Sequence, residues 1–137
     1  MTALLDTSFL LAMTNVKDRN HARVLSTAER IDGQLVLPVT VLPEVSYLIG
    51  SRLGHKTMRQ FLHRIADSDV TLEKVTITDL KRVADILDKY ADSQLDFVDA
   101  TLVALAERLN ITRVLTLDRR DFSIIRPAHC SYFEILP

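Results

Sequence analysis

The sequence predicts an α/β protein: a three-layer α/β/α sandwich with a mostly parallel central sheet, built as one domain over residues 1–137. Three observations lead there. Short apolar runs alternate with segments of helical periodicity, which is how strands and crossover helices of a parallel sheet read in sequence. With only 3 Gly and 4 Pro, the chain is poor in the residues that make tight hairpins. A hydrophobic content of 47% with 26% charged residues is that of an ordinary globular domain rather than of a disordered or collagen-like chain.

The elements follow in order. Thr2–Leu5 is a short apolar run stopped by Asp6, read as a buried first strand, and Ser8–Thr14 continues as a short helix. Asp18–Ile31 places Ala22, Val24, Leu25, Ala28 and Ile31 at near-helical spacing, and Asp32-Gly33 ends it. Leu35–Pro38 is the second strand. Thr40 then stands as N-cap of a helix with Pro43 in its first turn, where a missing N–H costs little. That helix carries Glu44 and closes between Gly50 and Gly54; His55–Ile65 makes the next, with Met58, Phe61, Leu62 and Ile65 on one face. Val70–Val75 reads as strand three, Thr78-Asp79 begins a helix through Tyr90, and Asp96 begins another through Leu109. Arg113–Leu117 and Ser131–Leu136 are the remaining strands, the last at an edge. No repeat, linker or second domain is visible.

Composition narrows the function classes. A lone Cys130 excludes a disulfide framework and a cysteine-rich zinc site, in keeping with a reducing compartment. Seventeen Lys and Arg against 18 Asp and Glu give a net charge of −1, so no global field attracts nucleic acid or membrane, and any polyanion must be held locally. Asp6, Glu44 and Asp99 interrupt the apolar stretches before the ~18 residues that a membrane span needs. Met1–Asp6 lacks the basic start and long apolar core of a secretory signal. The expectation is a cytoplasmic protein with no membrane association.

Four acids stand in apolar surroundings: Asp6 between Ala3-Leu4-Leu5 and Phe9-Leu10-Leu11, Glu44 within Val39–Val45, Asp99 within Phe97–Val103, and Asp118 after Val114-Leu115-Thr116-Leu117. Partly buried carboxylates need partners, and only Asp118, followed by Arg119 and Arg120, has basic neighbours close by. Asp6 and Asp118 fall at the carboxyl ends of strands, and Glu44 and Asp99 in first turns of helices, so all four can converge on one cleft at the edge where open parallel sheets bind ligands. Such a cluster either protonates or takes up a cation. Oxygen ligands suit Mg²⁺ or Mn²⁺, and the four His residues show no zinc-like pairing. A carboxylate-held Mg²⁺ suits phosphodiester hydrolysis.

Each acid also has a plainer reading. Asp6 can cap the helix after it, Asp96 with Asp99 has the form of an acidic capping box, Glu44 suits a helix start, and Asp118 can cap a turn. Ser8 and Thr116 are hydroxyls that either cap or orient a carboxylate, with capping the commoner use. It is the coincidence of four acids at strand ends and helix starts that favours a site.

The segments Leu5-Asp6-Thr7-Ser8, Glu44 after the second strand, Phe97-Val98-Asp99-Ala100, and Thr116-Leu117-Asp118-Arg119-Arg120-Asp121-Phe122 together resemble the PIN-domain family, and more narrowly the VapC-like toxins of toxin–antitoxin pairs. The likeness runs from Thr2 to about Leu136. It implies a Mg²⁺- or Mn²⁺-dependent endoribonuclease whose products carry a 3′ hydroxyl and a 5′ phosphate. By the same resemblance Asp6 and Asp99 would ligate metal directly, and Glu44 and Asp118 would bind it, a second ion or its waters. Asp96 is read as a cap, and Asp118 is preferred to Asp121 for the fourth acid. An RNA substrate, a cognate antitoxin and a homodimer are the implied partners.

For holding RNA, Lys56, Arg59 and His63 form a possible basic stripe, and Arg119 and Arg120 adjoin Asp118. A solvated helix face accounts for the stripe equally well. His21, His55 and Cys130 are assigned no chemistry. Rival readings are an Asp-x-Asp phosphotransferase, opposed by Ser8 in the second acidic position; a receiver domain, opposed by the missing adjacent acid pair and lysine; a free-standing RNA-processing nuclease; and a non-catalytic scaffold, opposed by retention of all four acids.

Overall fold

The structure is a computed structural model and describes residues 1–93 and 95–137. The elements are β1 (Ala3–Leu5), α1 (Thr7–Thr14), α2 (His21–Arg30), β2 (Leu35–Pro38), α3 (Val41–Leu53), α4 (His55–Asp67) and β3 (Thr71–Glu73). There follow α5 (Ile77–Lys89), a 3-10 turn at Ala91–Ser93, α6 (Phe97–Leu109), β4 (Arg113–Leu115), α7 (Arg119–Ile124) and β5 (Glu134–Leu136).

Every strand pairing is parallel and the sheet order is β3-β2-β1-β4-β5. Leu4 lies opposite Val36 on one side and Val114 on the other. Central strands of a parallel sheet are covered on both faces, so β1 is apolar throughout instead of alternating, and Ala3, Leu4 and Leu5 are all buried. The chain steps from β1 outward to β2 and β3, then returns across the sheet to β4 and β5. With right-handed crossovers, that reversal sends α1–α4 to one face and α5–α7 to the other. The packing agrees: α1 contacts α2 and α3, and α3 contacts α4, while α5 pairs with α6. The strand order reverses between β1 and β4, the two neighbours whose carboxyl ends carry Asp6 and Thr116.

Helix α6 is the axle of the second layer, buried without interruption from Asp99 to Ala106. It stops at Asn110, whose φ of 55° is the left-handed conformation that asparagine tolerates best after glycine. Gly54, at φ 103°, separates α3 from α4 at a position no side-chain-bearing residue adopts without strain. Two ionic ties hold α5 and β3 to α6. Arg82 donates two bonds to Glu107, at 2.6 and 2.9 Å, and Arg108 reaches Asp79 at 3.0 Å and Glu73 at 3.0 Å.

The structure departs from the sequence reading mainly at element ends. Helix α2 starts at His21 because Asp18 Oδ1 accepts from the Asn20 N–H at 2.7 Å and turns the chain there. Helix α5 is capped by Thr76, not begun at Thr78: Thr76 and Asp79 form a reciprocal capping box. Strands β3 and β5 are shorter than Val70–Val75 and Ser131–Leu136. Strand β4 ends at Leu115, and α7, which the sequence reading omitted, follows Asp118. The six residues of α7 are too few to show a helical period, but its cap is legible in retrospect.

Candidate metal centre

Asp6 leaves β1 directly beside the end of β4, its N–H bonded to the Leu115 carbonyl at 3.0 Å. It occupies the N-cap of α1, yet its side chain makes no capping bond. Instead Oδ2 accepts from Thr116 Oγ1 at 2.7 Å and from Ser8 Oγ at 3.4 Å. Thr116 is fully buried and has one hydroxyl proton, which goes to Asp6; its oxygen accepts the Asp118 N–H at 3.0 Å. Ser8 Oγ, 3.1 Å from Thr116 Oγ1 and 3.4 Å from Asp6 Oδ2, has one proton to share between those two oxygens, and it accepts the Leu117 N–H at 2.9 Å. The two hydroxyls thus orient the carboxylate from across the strand-order reversal, the use that the sequence reading ranked below capping.

The other acids arrive by helix starts. Asp96 caps α6 by accepting the Asp99 N–H at 2.8 Å, and Asp118 caps α7 by accepting the Asp121 N–H at 3.3 Å. Capping and site are not alternatives here, because both capping residues also line the cleft. A cleft of about 300 Å³ is lined by Asp6, Glu44, Asp96, Asp99, Asp118 and Asp121. All four acids singled out from the sequence meet there, joined by the two set aside. Carboxylate oxygens of Asp99, Asp118 and Asp121 lie within 4.8 Å of one another.

This crowding shows in the acidities. Burial, reinforced by Glu44 and Asp118 and opposed by the Thr116 bond, raises Asp6 from an ordinary 3.8 to about 6. Burial and the charges of Asp96, Asp6 and Asp118 raise Asp99 to about 8. Asp121 is raised as well, by burial and by Asp118.

The donor set fits a hard divalent cation: oxygen ligands of excess negative charge, at spacings that repulsion opposes unless something positive or a proton stands between them. Thr7 Oγ1 supplies a second indication. It belongs to a cleft-lining residue, is buried and has no hydrogen-bond partner among the described residues. An orphaned hydroxyl beside a carboxylate cluster has the chemistry of a ligand-facing oxygen.

The basic candidates fall elsewhere. Lys56, Arg59 and His63 lie on the exposed side of α4, outside the lining of the cleft. The guanidinium of Arg119 donates to the carbonyls of Ile135 and Pro137, and Arg120 is exposed. The cation that does line the cleft is Arg52, which the sequence reading missed. Its signal was present: Glu44, Leu48 and Arg52 recur at four-residue spacing on α3, and all three line the cleft. Histidine 21 is structural, its Nδ1 2.9 Å from the Ala12 carbonyl.

A parallel sheet whose strand order reverses beneath a carboxylate cleft defines a class of α/β proteins, and the model of the PIN domain matches residues 3–126 of this chain. At 32% identity over 134 residues, covering 98% of this chain and 99% of the relative, the sequence is similar to Ribonuclease VapC26 of Mycobacterium tuberculosis. The chain belongs to the PIN-domain family, in its VapC branch. Solved structures share its fold. That of Mycobacterium tuberculosis VapC20, described as a Sarcin-Ricin loop cleaving toxin, superposes with a TM-score of 0.85 at 21% identity over 98% of this chain and 99% of that one. A toxin–antitoxin complex from Klebsiella pneumoniae contains a chain with a TM-score of 0.67 at 20% identity, covering 96% of this chain and 99% of that one.

Proposed function

We propose that this protein is a divalent-metal-dependent endoribonuclease acting as the toxin of a toxin–antitoxin pair. One observation carries the chemistry: six carboxylates from β1, α3, α6 and α7 converge on a single cleft at the strand-order reversal, two of them with acidities raised to about 6 and about 8. A structural cap gains nothing from such crowding, whereas a site for a cation requires it. The similarity to a ribonuclease at 32% identity over nearly the whole chain supports RNA as the substrate. The shared fold with a chain of a toxin–antitoxin complex supports an antitoxin partner.

Asp6, Asp99 and Asp118, with Glu44, would hold Mg²⁺ or Mn²⁺; when bound, the cation offsets their charge, polarises a phosphodiester and activates water for in-line attack. Asp121 joins this set by its oxygens' proximity to those of Asp99 and Asp118. Thr116 and Ser8 fix the rotamer of Asp6, so that no reorganisation is needed on loading. Burial and the neighbouring carboxylates raise Asp99 to about 8, so the metal-free cluster favours a shared proton that filling the site would displace. We further propose a homodimer; exposed Leu72 on edge strand β3, and Ile77 with Leu80 on the adjoining start of α5, are apolar side chains that a second copy would cover.

The test is cleavage of labelled RNA by purified protein with Mg²⁺ or Mn²⁺, with chelator, and by Asp6→Asn. Cleavage confined to the metal-loaded wild type is expected. Equal cleavage in all three would assign the activity to a contaminant. Light scattering reads the dimer, and co-purification with the product of an adjacent small gene reads the antitoxin.

A further inference from the structure

Arg52 is the one basic residue lining the acid cleft among the described residues, and it is in none of the ion pairs among them despite six carboxylates on the same walls. Its guanidinium carries five donors and no acceptor, and the residue is exposed. A second groove, of about 510 Å³, shares Arg52 with the cleft and is also lined by Asn15, Lys17 and Thr57. Lys17 is exposed and likewise outside every ion pair among the described residues. Arg52 follows Glu44 by eight residues on α3, which sets the two about 12 Å apart along the helix axis.

The contrast in charge is the point. An RNA strand brings a phosphate at every nucleotide, and only the one being cut gains from a cation in the acid cleft; its neighbours are repelled by the same carboxylates. They need an exit with positive charge, and the chain's net charge of −1 provides no general attraction. We infer that the groove from Arg52 to Lys17 carries the RNA strand on one side of the cleavage point, with Arg52 gripping the first flanking phosphate outside the cleft. Arginine suits that place because its planar fork binds phosphate through two bonds. Lys17 takes a phosphate further along as a point charge. The alternatives are placed worse: Arg119 commits its Nη2 to the carbonyls of Ile135 and Pro137, and Arg119, Arg120, Lys56 and Arg59 line neither groove.

This inference rests on the ribonuclease reading, so binding and cleavage are measured separately. RNA affinity is taken by fluorescence anisotropy on the metal-free full chain, and steady-state cleavage on the Mg²⁺-loaded one. Arg52→Gln is expected to raise Kd and KM roughly tenfold and leave kcat within about twofold, because a charged hydrogen bond to phosphate is lost without touching the reacting atoms. The slope of log Kd against log salt should flatten by about 0.7, the value of one single-strand phosphate contact. Arg52→Lys should recover part of the affinity and all of the slope. Lys17→Gln should act in the same direction, and Lys81→Gln on α5 should change nothing. An RNA shortened up to the cut on one side should lose its sensitivity to Arg52→Gln, while shortening the other side should not matter. Unchanged Kd and salt slope in Arg52→Gln would overturn the groove. Binding that responds as described in a wild type that cuts no RNA would instead overturn the nuclease reading and leave the groove standing.

Discussion

Replacing Asp6 by Asn should make the metal-free protein more stable. Folding moves the Asp6 acidity from 3.8 to about 6, so above pH 6 the ionised carboxylate costs the folded chain about 3 kcal/mol relative to the unfolded one. The sign follows from proton binding: the folded state holds the proton more tightly, so this cost is absent below pH 4, accumulates between pH 4 and 6, and is complete above that. An asparagine carries no charge at any pH, and its carbonyl still accepts from Thr116, whose bond to Asp6 is 2.7 Å. Allowing for imperfect accommodation of the amide, Asp6→Asn should gain about 1–3 kcal/mol at pH 7.5 and close to nothing at pH 4. For a chain of 137 residues that is a Tm rise of about 3–10 °C. Thermal and urea unfolding in chelator at both pH values measure it. Saturating Mn²⁺ should reverse the order, stabilising the wild type by mass action and the variant little. A variant less stable than wild type at pH 7.5, or one shifted equally at pH 4 and 7.5, would refute the claim that crowded carboxylates strain this cleft.

Mn²⁺ affinity, read by calorimetry, should rise between pH 6 and pH 8 with release of protons, since Asp99 near 8 and Asp6 near 6 must both ionise on binding; a flat profile would contradict this. Thr116→Val removes the hydroxyl that orients Asp6 and accepts from the Asp118 N–H, so RNA cleavage should fall about 10–100-fold, with Thr116→Ser recovering most of it. Arg108→Ala leaves Asp79 buried without its ionic partner and should cost about 2–4 kcal/mol in urea unfolding at pH 7. Burial pushes the Asp79 carboxyl up, but its bonds from Arg108 and Thr76 outweigh this and hold it below the usual range. The wild type's advantage over Arg108→Ala should therefore be full at neutral pH and shrink as the pH falls below 4.

The sequence by itself determined the class of fold, the alternation of strands and helices, and the four acids worth attention. Apolar β1 and β2 read as fully buried strands because a covered parallel sheet removes alternation, and each acid was conspicuous because a charge amid apolar residues needs a reason. Element ends were less legible, since Asp18, Thr76 and Asp118 each sit where a cap can be placed one or two residues either way and local bonds decide. α7 was hidden because six residues span fewer than two turns.

What only the tertiary structure decided is how those residues combine. Asp96 entered the cleft because capping fixes its carboxylate at the start of α6, and Asp121 because it stands in the first turn of α7; the strand-order reversal brings these two starts together beside β1. Thr116 reaches Asp6 from 110 residues away. Arg52, rather than the basic stripe on α4 or the Arg119-Arg120 pair, lines the acid cleft because α3 carries Glu44, Leu48 and Arg52 along one side. Periodicity names the residues that share a helix face. Which face meets which neighbour is set by strand order and crossover hand, and these depend on contacts between segments that no local pattern encodes.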